Sequence, residues 1–257
     1  MQNLKVAFIQ SDLVWHNAKE NLQNFTKKIN QISEDVDLII LPEMFTTGFS
    51  MHPKNISESM EGKTVLWMKK MASSKNAVIT GSVIIKEDED YYNRLLFVYP
   101  SGKIETYNKR HLFSLAGEEK VYKAGIEKKI FTVKGWKICP QICYDLRFPV
   151  FARNTEDYEI LFYVANWPKQ RIKAWDALLK ARAIENMSYV IGINRVGKDA
   201  NNFEYSGHSA GFDSLGETIA KTTPFKEETI IVNLDKKVQI TLRKKLNFLA
   251  DRDQFKL

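Results

Sequence analysis

The stretch 135–149 restricts the fold more than any other part of the sequence, because it changes from strand-like to helix-like within a few residues. Its first half, residues 136–142, is short and largely apolar and predicts a buried strand. Phe148 and Pro149 then predict the start of a helix, since proline is tolerated in a first turn that needs no amide donor. Cys143 therefore falls on a turn between a strand and a helix.

Such a turn lifts the Cys143 side chain out of the sheet and places backbone N–H groups near its sulfur. These groups favour a thiolate and stabilise a developing negative oxygen, so Cys143 is a candidate nucleophile. A lone cysteine is also often a buried, unreactive core residue. Position alone leaves both interpretations open.

Apolar patterns along the rest of the chain alternate between strand and helix types. Strands are predicted at 4–10, 36–41, 77–85, 91–99, 103–107, 129–133, 136–142, 159–165, 189–196, 206–213, 217–222 and 228–234, and helices at 17–32, 64–74 and 172–186. Asn17 is a candidate cap for the first helix. The mixture predicts one α/β domain over 1–245, followed by a charged C-terminal arm over 246–257.

Charge and cysteine content narrow the class of protein. The chain has 257 residues and a net charge of +7, but its lysines and arginines are dispersed and no nucleic-acid-binding motif accompanies them, so no nucleic-acid partner is expected. Cys139 and Cys143 lie too far apart along one strand to bridge, which indicates a reducing compartment. With no signal sequence or membrane-spanning run, the expected protein is soluble and cytoplasmic.

No cofactor or metal is predicted. The four histidines, His16, His52, His111 and His208, do not pair at metal-ligand spacing. The chain also lacks glycine-rich nucleotide-binding patterns.

Three residues with reactive side chains stand beside predicted strand ends: Glu43, Lys109 and Cys143. Glu43 follows a strand buried on both faces, at the end where open α/β sheets bind ligands. Lys109 begins a long irregular segment, 108–127, of the kind that often carries function. Each residue also has an ordinary explanation: Glu43 could cap a helix, Lys109 could be a surface lysine, and Cys143 could be a core cysteine.

The motifs around these residues resemble those of a known family. Leu41-Pro42-Glu43, Asn108-Lys109-Arg110-His111-Leu112-Phe113 and Ile142-Cys143-Tyr144-Asp145-Leu146-Arg147-Phe148-Pro149 resemble the three signature blocks of the nitrilase superfamily of carbon–nitrogen hydrolases, in the same order. The segments 165–168, 181–186 and 207–209 also resemble family blocks. The resemblance extends from residue 5 to about residue 235, and the forms CYDLRFP and ANWP are most similar to the bacterial omega-amidase branch.

The resemblance implies a fold and a set of roles. The implied fold is a four-layer α-β-β-α sandwich with two mixed sheets face to face and helices outside. Cys143 would be the nucleophile and Glu43 the general base and acid, while Lys109 and the backbone N–H of Tyr144 would stabilise the oxyanion. Glu118 matches the family's second glutamate, which orients the lysine and the substrate, although Glu119 beside it leaves that assignment open.

Other residues receive weaker interpretations. Trp167 is a candidate pocket wall that binds substrate, or else a core aromatic residue. Arg147 and Arg182 are expected to be buried, paired arginines that hold the scaffold. Cys139, in mid-strand, is expected to be structural.

The implied activity is release of ammonia from the terminal amide of a small 2-oxo dicarboxylic acid monoamide, such as 2-oxoglutaramate or 2-oxosuccinamate. Alternatives within the superfamily are another aliphatic amidase, a carbamoyl-amide hydrolase or a nitrilase. An alternative outside enzymes is a binding scaffold without activity. The resemblance also implies a homodimer formed through 148–155 and 172–186.

Overall fold

The computed structural model describes residues 2–255, so the first residue of the predicted domain and the last two of the predicted arm lie outside the described residues. The strands are β1 (Leu4–Gln10), β2 (Leu38–Ile40), β3 (Val78–Glu87), β4 (Asp90–Val98), β5 (Ile104–Asn108), β6 (Phe131–Val133), β7 (Trp136–Ile142), β8 (Ile160–Val164), β9 (Tyr189–Ile193), β10 (Val196–Lys198), β11 (Glu204–Ser206), β12 (Ala210–Phe212), β13 (Thr218–Lys221) and β14 (Glu228–Leu234). The helices are α1 (Ala18–Asn30), α2 (Lys63–Lys75), α3 (Pro149–Ala152), α4 (Ile172–Asn186) and α5 (Lys236–Leu246).

Two six-stranded sheets form the framework. The first has the order β14-β1-β2-β3-β4-β5 and the second the order β13-β12-β9-β8-β7-β6, while β10 and β11 make a separate ribbon. Each sheet has three parallel strands in a row, β1-β2-β3 and β7-β8-β9, and antiparallel strands outside them. Both sheets are therefore mixed, as predicted.

The two sheets pack face to face around a shared apolar core. Phe8 and Ile40 from the first sheet and Phe162 and Ile191 from the second are fully buried in this core. The opposite face of the first sheet is covered by α1 and α2, and that of the second by α4. Because each sheet thus buries both of its faces, the chain forms the predicted four-layer α-β-β-α sandwich.

Helix α4 approaches the second sheet closely at Gly192 of β9. A Cβ at this position would lie 2.4 Å from Leu179 and 2.7 Å from Trp175, two fully buried side chains of α4. Only glycine allows the helix to pack at this distance, which fixes α4 against the strand that precedes the β10–β11 ribbon.

Most predicted elements are confirmed, and three regions differ. The strand predicted at 206–213 is divided into β11 and β12, because the chain turns at Gly207, which has φ of 76°. The strands at 4–10, 136–142 and 228–234 and the helix at 172–186 occur at the predicted residues, and Asn17 accepts a hydrogen bond from the Glu20 backbone N–H as the predicted cap of α1. The strand predicted to end at residue 196 ends at Ile193, because the Asn194 side chain bonds to Trp167 and Gly207 and turns the chain out of the sheet.

The sequence analysis missed α5. Asp235 caps this helix by accepting from the N–H groups of Lys237 and Val238, and Arg243 donates to the carbonyls of Tyr158 and Met187. Its polar composition lacks a strong apolar stripe, so it is held mainly by such hydrogen bonds. The division of the chain at residue 245 stays a prediction. None of the helices in the described residues is both long and apolar enough to cross a membrane.

Gly192→Ala should destabilise the protein, because the added methyl group overlaps two buried side chains and such overpacking costs about 1–3 kcal/mol. The matched control is Gly211→Ala on β12, where the nearest atom to a new Cβ is 3.2 Å away on the partly exposed Ile219. Thermal unfolding followed by circular dichroism should show a melting temperature lowered by about 5 °C for Gly192→Ala and little change for the control. Equal melting temperatures for the two variants would contradict the close packing of α4.

Candidate active site

Lys109, Glu43 and Glu118 form a buried cluster of one ammonium and two carboxylates. Lys109 Nζ donates to Glu43 Oε1 at 2.9 Å and to the two oxygens of Glu118 at 3.0 and 2.9 Å. None of the three side chains is more than 1% exposed. Burial opposes the charge on Lys109, but Glu118 and Glu43 outweigh it and raise the pKa of Lys109 above its usual value, so the side chain stays an ammonium.

Two asparagines fix the Glu43 carboxylate in place. Asn93 on β4 donates to Glu43 Oε1 at 2.8 Å, and the backbone N–H of Asn166 donates to Oε2 at 2.8 Å. The Asn166 amide also donates to the Glu43 carbonyl at 2.7 Å. Since Glu43 follows β2 of the first sheet and Asn166 follows β8 of the second, these bonds join the two sheets at the candidate site.

The structure separates the two candidates for the second glutamate. Glu118 is fully buried and also accepts from the Phe113 backbone N–H at 2.6 Å, whereas Glu119 is exposed. Burial raises the pKa of Glu118, as does Glu43, while Lys109 acts in the opposite direction. Glu118 therefore belongs to the cluster and Glu119 does not.

Cys143 lies on the turn after β7, as predicted, and its backbone is in the left-handed region with φ of 45°. For a residue with a side chain this conformation is strained, and it persists only where neighbouring contacts hold it. A five-residue 3-10 turn, Cys143–Arg147, follows, and then the single turn of α3. The predicted helix start at Phe148 and Pro149 is confirmed, although that helix is short.

The environment of the sulfur opposes the thiolate that the turn is expected to favour. Burial raises the pKa of the Cys143 thiol well above its usual value, and the charge of Glu43 and a hydrogen bond to Glu43 raise it further, with Lys109 opposing them. Burial and the two carboxylates of the cluster together outweigh the one ammonium. The resting residue is therefore a neutral thiol beside a carboxylate that can accept its proton.

Asp145 holds the Cys143 turn and was not singled out by the sequence analysis. Its Oδ2 accepts from the Ile142 N–H at 2.9 Å and from the Tyr107 hydroxyl at 2.7 Å, and its Oδ1 accepts from the His111 N–H at 2.9 Å. One buried carboxylate thus ties the segment that carries Lys109 to the turn that carries Cys143. Asn93 was missed as well, although an asparagine within the apolar run of β4 was a signal for a buried polar role.

A cavity of about 360 Å³ opens onto this cluster. Cys143, Lys109 and Asn166 lie at the polar part of its wall, while aromatic residues form much of the remainder, namely Trp15, Phe49, Phe113, Tyr144, Trp167, Phe203 and Tyr205. A concave, mainly apolar cavity with a few converging polar groups is the usual form of a small-molecule site.

Comparison with known proteins identifies the family of this chain. The model of the carbon-nitrogen hydrolase family matches residues 5–244. The chain belongs to the carbon–nitrogen hydrolase family. It is 43% identical to the omega-amidase YafV of Yersinia enterocolitica over the full length of both chains. It is also 34% identical to the 2-oxoglutaramate amidase of Bacillus subtilis, covering 84% of this chain and 85% of the relative.

A solved structure supports the fold of this carbon–nitrogen hydrolase. A superfamily member from Xanthomonas campestris, whose crystal structure carries an arsenic adduct in the active site, is 38% identical with a TM-score of 0.97, and all of both chains is covered. The predicted family and the predicted sandwich are confirmed.

Of the two arginines predicted to hold the scaffold, only Arg182 does so in this hydrolase. Arg182 is 3% exposed and donates to the Leu146 carbonyl at 2.7 Å and to Glu185 at 3.0 Å. Arg147 is instead exposed and lines the cavity, with its guanidinium 4.9 Å from the centre of the Trp167 ring. Trp167 fits both of its interpretations, because it lines the cavity and also packs against Trp175 of the core.

The raised thiol pKa predicts how alkylation of Cys143 depends on pH. The thiolate is the form that reacts with iodoacetamide. The rate at which wild type is alkylated should therefore still rise with pH where the rate for an ordinary thiol has already reached its plateau. Glu43→Gln removes the charge that raises the pKa, so its profile should move to lower pH. Rates measured by mass spectrometry in a Cys139→Ala background isolate the one thiol.

Cys139 supplies the control in the unaltered chain. It is fully buried, and burial raises its pKa to about 12. Label should therefore appear on Cys143 and not on Cys139. A profile for Glu43→Gln that overlays wild type, or lies at higher pH, would contradict the electrostatic assignment.

Proposed function

We propose that this chain is an omega-amidase that releases ammonia from the terminal amide of a small 2-oxo dicarboxylic acid monoamide, such as 2-oxoglutaramate or 2-oxosuccinamate. The observation that carries the proposal is the buried Glu43–Lys109–Glu118 cluster beside a partly buried cysteine at the wall of a small cavity. The full-length relatives named as omega-amidase and 2-oxoglutaramate amidase support this choice of substrate.

In the proposed first half-reaction, Cys143 attacks the amide carbon. Glu43 accepts the thiol proton as the S–C bond forms, and the amide C=O electrons move to the oxygen. Glu43 is close enough to Cys143 to raise the pKa of its thiol, which suits a direct transfer of this proton. Because the resting thiol is neutral, the base and the nucleophile act in one step.

Lys109 and the backbone N–H of Tyr144 stabilise the oxyanion that results. Lys109 Nζ lies at the cavity wall and is held as an ammonium by two carboxylates. Such donors are fixed before the reaction, so they stabilise the transition state without reorganising. Glu118 acts through Lys109, since it bonds to the ammonium with both oxygens and does not itself line the cavity.

Collapse of the tetrahedral intermediate breaks the C–N bond, and Glu43 returns its proton to the departing nitrogen, which leaves as ammonia. The Cys143 thioester remains. Glu43 then takes a proton from water as the water oxygen adds to the thioester carbon. The C–S bond breaks, Glu43 returns this proton to the sulfur, and the carboxylic acid product leaves.

A cytoplasmic location and a homodimer are part of the same proposal. Two free thiols, one of them the nucleophile, suit a reducing compartment. The proposed dimer face, which includes 148–155 and 172–186, carries the exposed apolar side chains Val150 and Ile184. Analytical ultracentrifugation measures this assembly directly.

Ammonia release from a panel of compounds tests the proposed activity. Wild type should hydrolyse 2-oxoglutaramate with the highest kcat/KM among 2-oxoglutaramate, glutamine, simple aliphatic amides, carbamoyl amides and nitriles. Cys143→Ala should release no ammonia, and Cys139→Ala, which alters only a core residue, should retain activity. Preference for a nitrile or a carbamoyl amide would select an alternative in the superfamily, and no turnover of any compound would favour a binding scaffold.

Glu43→Gln separates the two half-reactions. Glutamine keeps the shape of the side chain but cannot accept the thiol proton or return it to ammonia, so acylation should fail as well as deacylation. Intact-protein mass spectrometry after mixing with 2-oxoglutaramate should find unmodified protein and no burst of ammonia. An acyl adduct on Cys143 that forms at the wild-type rate would show that Glu43 is needed only for the water step.

A further inference from the structure

Two arginines differ from all the others in their hydrogen bonding. Seven of the nine arginines in the chain, all within the described residues, donate side-chain hydrogen bonds to protein acceptors, namely Arg94, Arg110, Arg153, Arg182, Arg195, Arg243 and Arg252. Arg147 and Arg171 donate none to the described residues, and both line the cavity that contains Cys143. Their N–H donors are therefore available to a bound molecule.

Aromatic side chains hold these two guanidiniums in place. Arg147 lies 4.9 Å from the centre of the Trp167 ring, and Arg171 lies 5.1 Å from the centre of the Phe113 ring. Trp167 in turn donates its ring N–H to the Arg171 carbonyl at 2.9 Å. A guanidinium stacked on an aromatic face keeps its planar fork of donors free, which matches the two oxygens of a carboxylate.

The remaining charges at the cavity wall already have protein partners. Lys109 is bonded to both carboxylates of the buried cluster. Asp199 accepts from the backbone N–H groups of Asn201 and Phe203 with one oxygen and from the Tyr205 hydroxyl with the other. Arg147 and Arg171 are the cations at the cavity wall that have no acidic partner among the described residues, so the part of the cavity that they line attracts an anion.

We propose that Arg147 and Arg171 bind the carboxylate of the substrate and make the enzyme selective for amides whose other end is anionic. Arg147 ends the 3-10 turn that begins at Cys143, so one short rigid element carries both the reacting sulfur and a carboxylate donor. This inference rests on the proposed amidase function, since it assigns the part of the site that holds the substrate away from the reacting amide.

Substitution by methionine tests the assignment, because it removes the guanidinium but keeps an apolar stem on the aromatic face. Arg147→Met and Arg171→Met should each lower kcat/KM for 2-oxoglutaramate about ten- to hundredfold, mainly through KM, since each loses charge-assisted hydrogen bonds. Pentanamide, an uncharged amide of equal chain length, should change less than threefold. The matched control is Lys173→Met, an exposed lysine two residues after Arg171 that does not line the cavity.

Binding of glutaramate, the monoamide of glutarate, to the Cys143→Ala protein gives a second readout that needs no turnover. Titration calorimetry should detect binding of this monocarboxylate, at least tenfold weaker after either arginine is replaced and unchanged by Lys173→Met. If wild type hydrolyses no amide, the proposed activity fails, yet this titration still decides the role of the arginines.

Three results would overturn the carboxylate assignment. One is equal loss of kcat/KM for 2-oxoglutaramate and pentanamide, which would indicate a structural role. The others are glutaramate affinity unaltered by both arginine substitutions, and no detectable glutaramate binding by the Cys143→Ala protein.

Discussion

One ammonium placed between two buried carboxylates is the interaction on which the site depends. Burying Lys109, Glu43 and Glu118 without partners would cost several kcal/mol for each charge, so each needs the others to remain ionised in the interior. The cluster has one more acid than base. Burial raises the pKa of Glu118 and Glu43 adds to this rise, against Lys109, and both carboxylates add to the burial that raises the pKa of Cys143.

The cluster exists only because two sheets end at the same place. Glu43 follows β2 and Asn93 lies on β4 of the first sheet, whereas Asn166 follows β8 of the second, and all three meet through hydrogen bonds of 2.8 Å to the Glu43 carboxylate. Asp145 makes a second connection, between the Lys109 segment and the Cys143 turn. A change in how the sheets pack would therefore alter the geometry of the candidate site directly.

Predictions from the sequence were most accurate for features that depend only on residues close together in the chain. The apolar run of β7, the turn at Cys143 and the proline that starts α3 are all local features, and each was predicted at its observed position. What local pattern cannot show is which side chains face each other across two sheets. This is why Glu118 and Glu119 could not be separated, why Asn93 and Asp145 were missed, and why Arg147 was assigned to the interior.

The pKa of Cys143 illustrates the same limit at the level of charge. The turn alone supplies N–H groups that favour a thiolate. Burial of the sulfur, together with carboxylates contributed by segments 100 and 25 residues earlier in the chain, nevertheless raises the pKa of the thiol. Electrostatic energies inside a protein depend on distance and burial, and neither can be read from a motif.

Charge is also separated across the cavity in a way that fits the proposed reaction. The excess negative charge lies deep, at Glu43 and Glu118, and the unpaired positive charge lies with Arg147 and Arg171. A substrate with a neutral amide and an anionic far end can bind in one orientation only, because its carboxylate is attracted to the arginines and repelled by the cluster. A resting thiol suits this arrangement, since a thiolate would add a negative charge where two carboxylates already lie. In the proposed reaction that charge develops only after binding, on the substrate oxygen next to Lys109, where an ammonium is already in place to stabilise it.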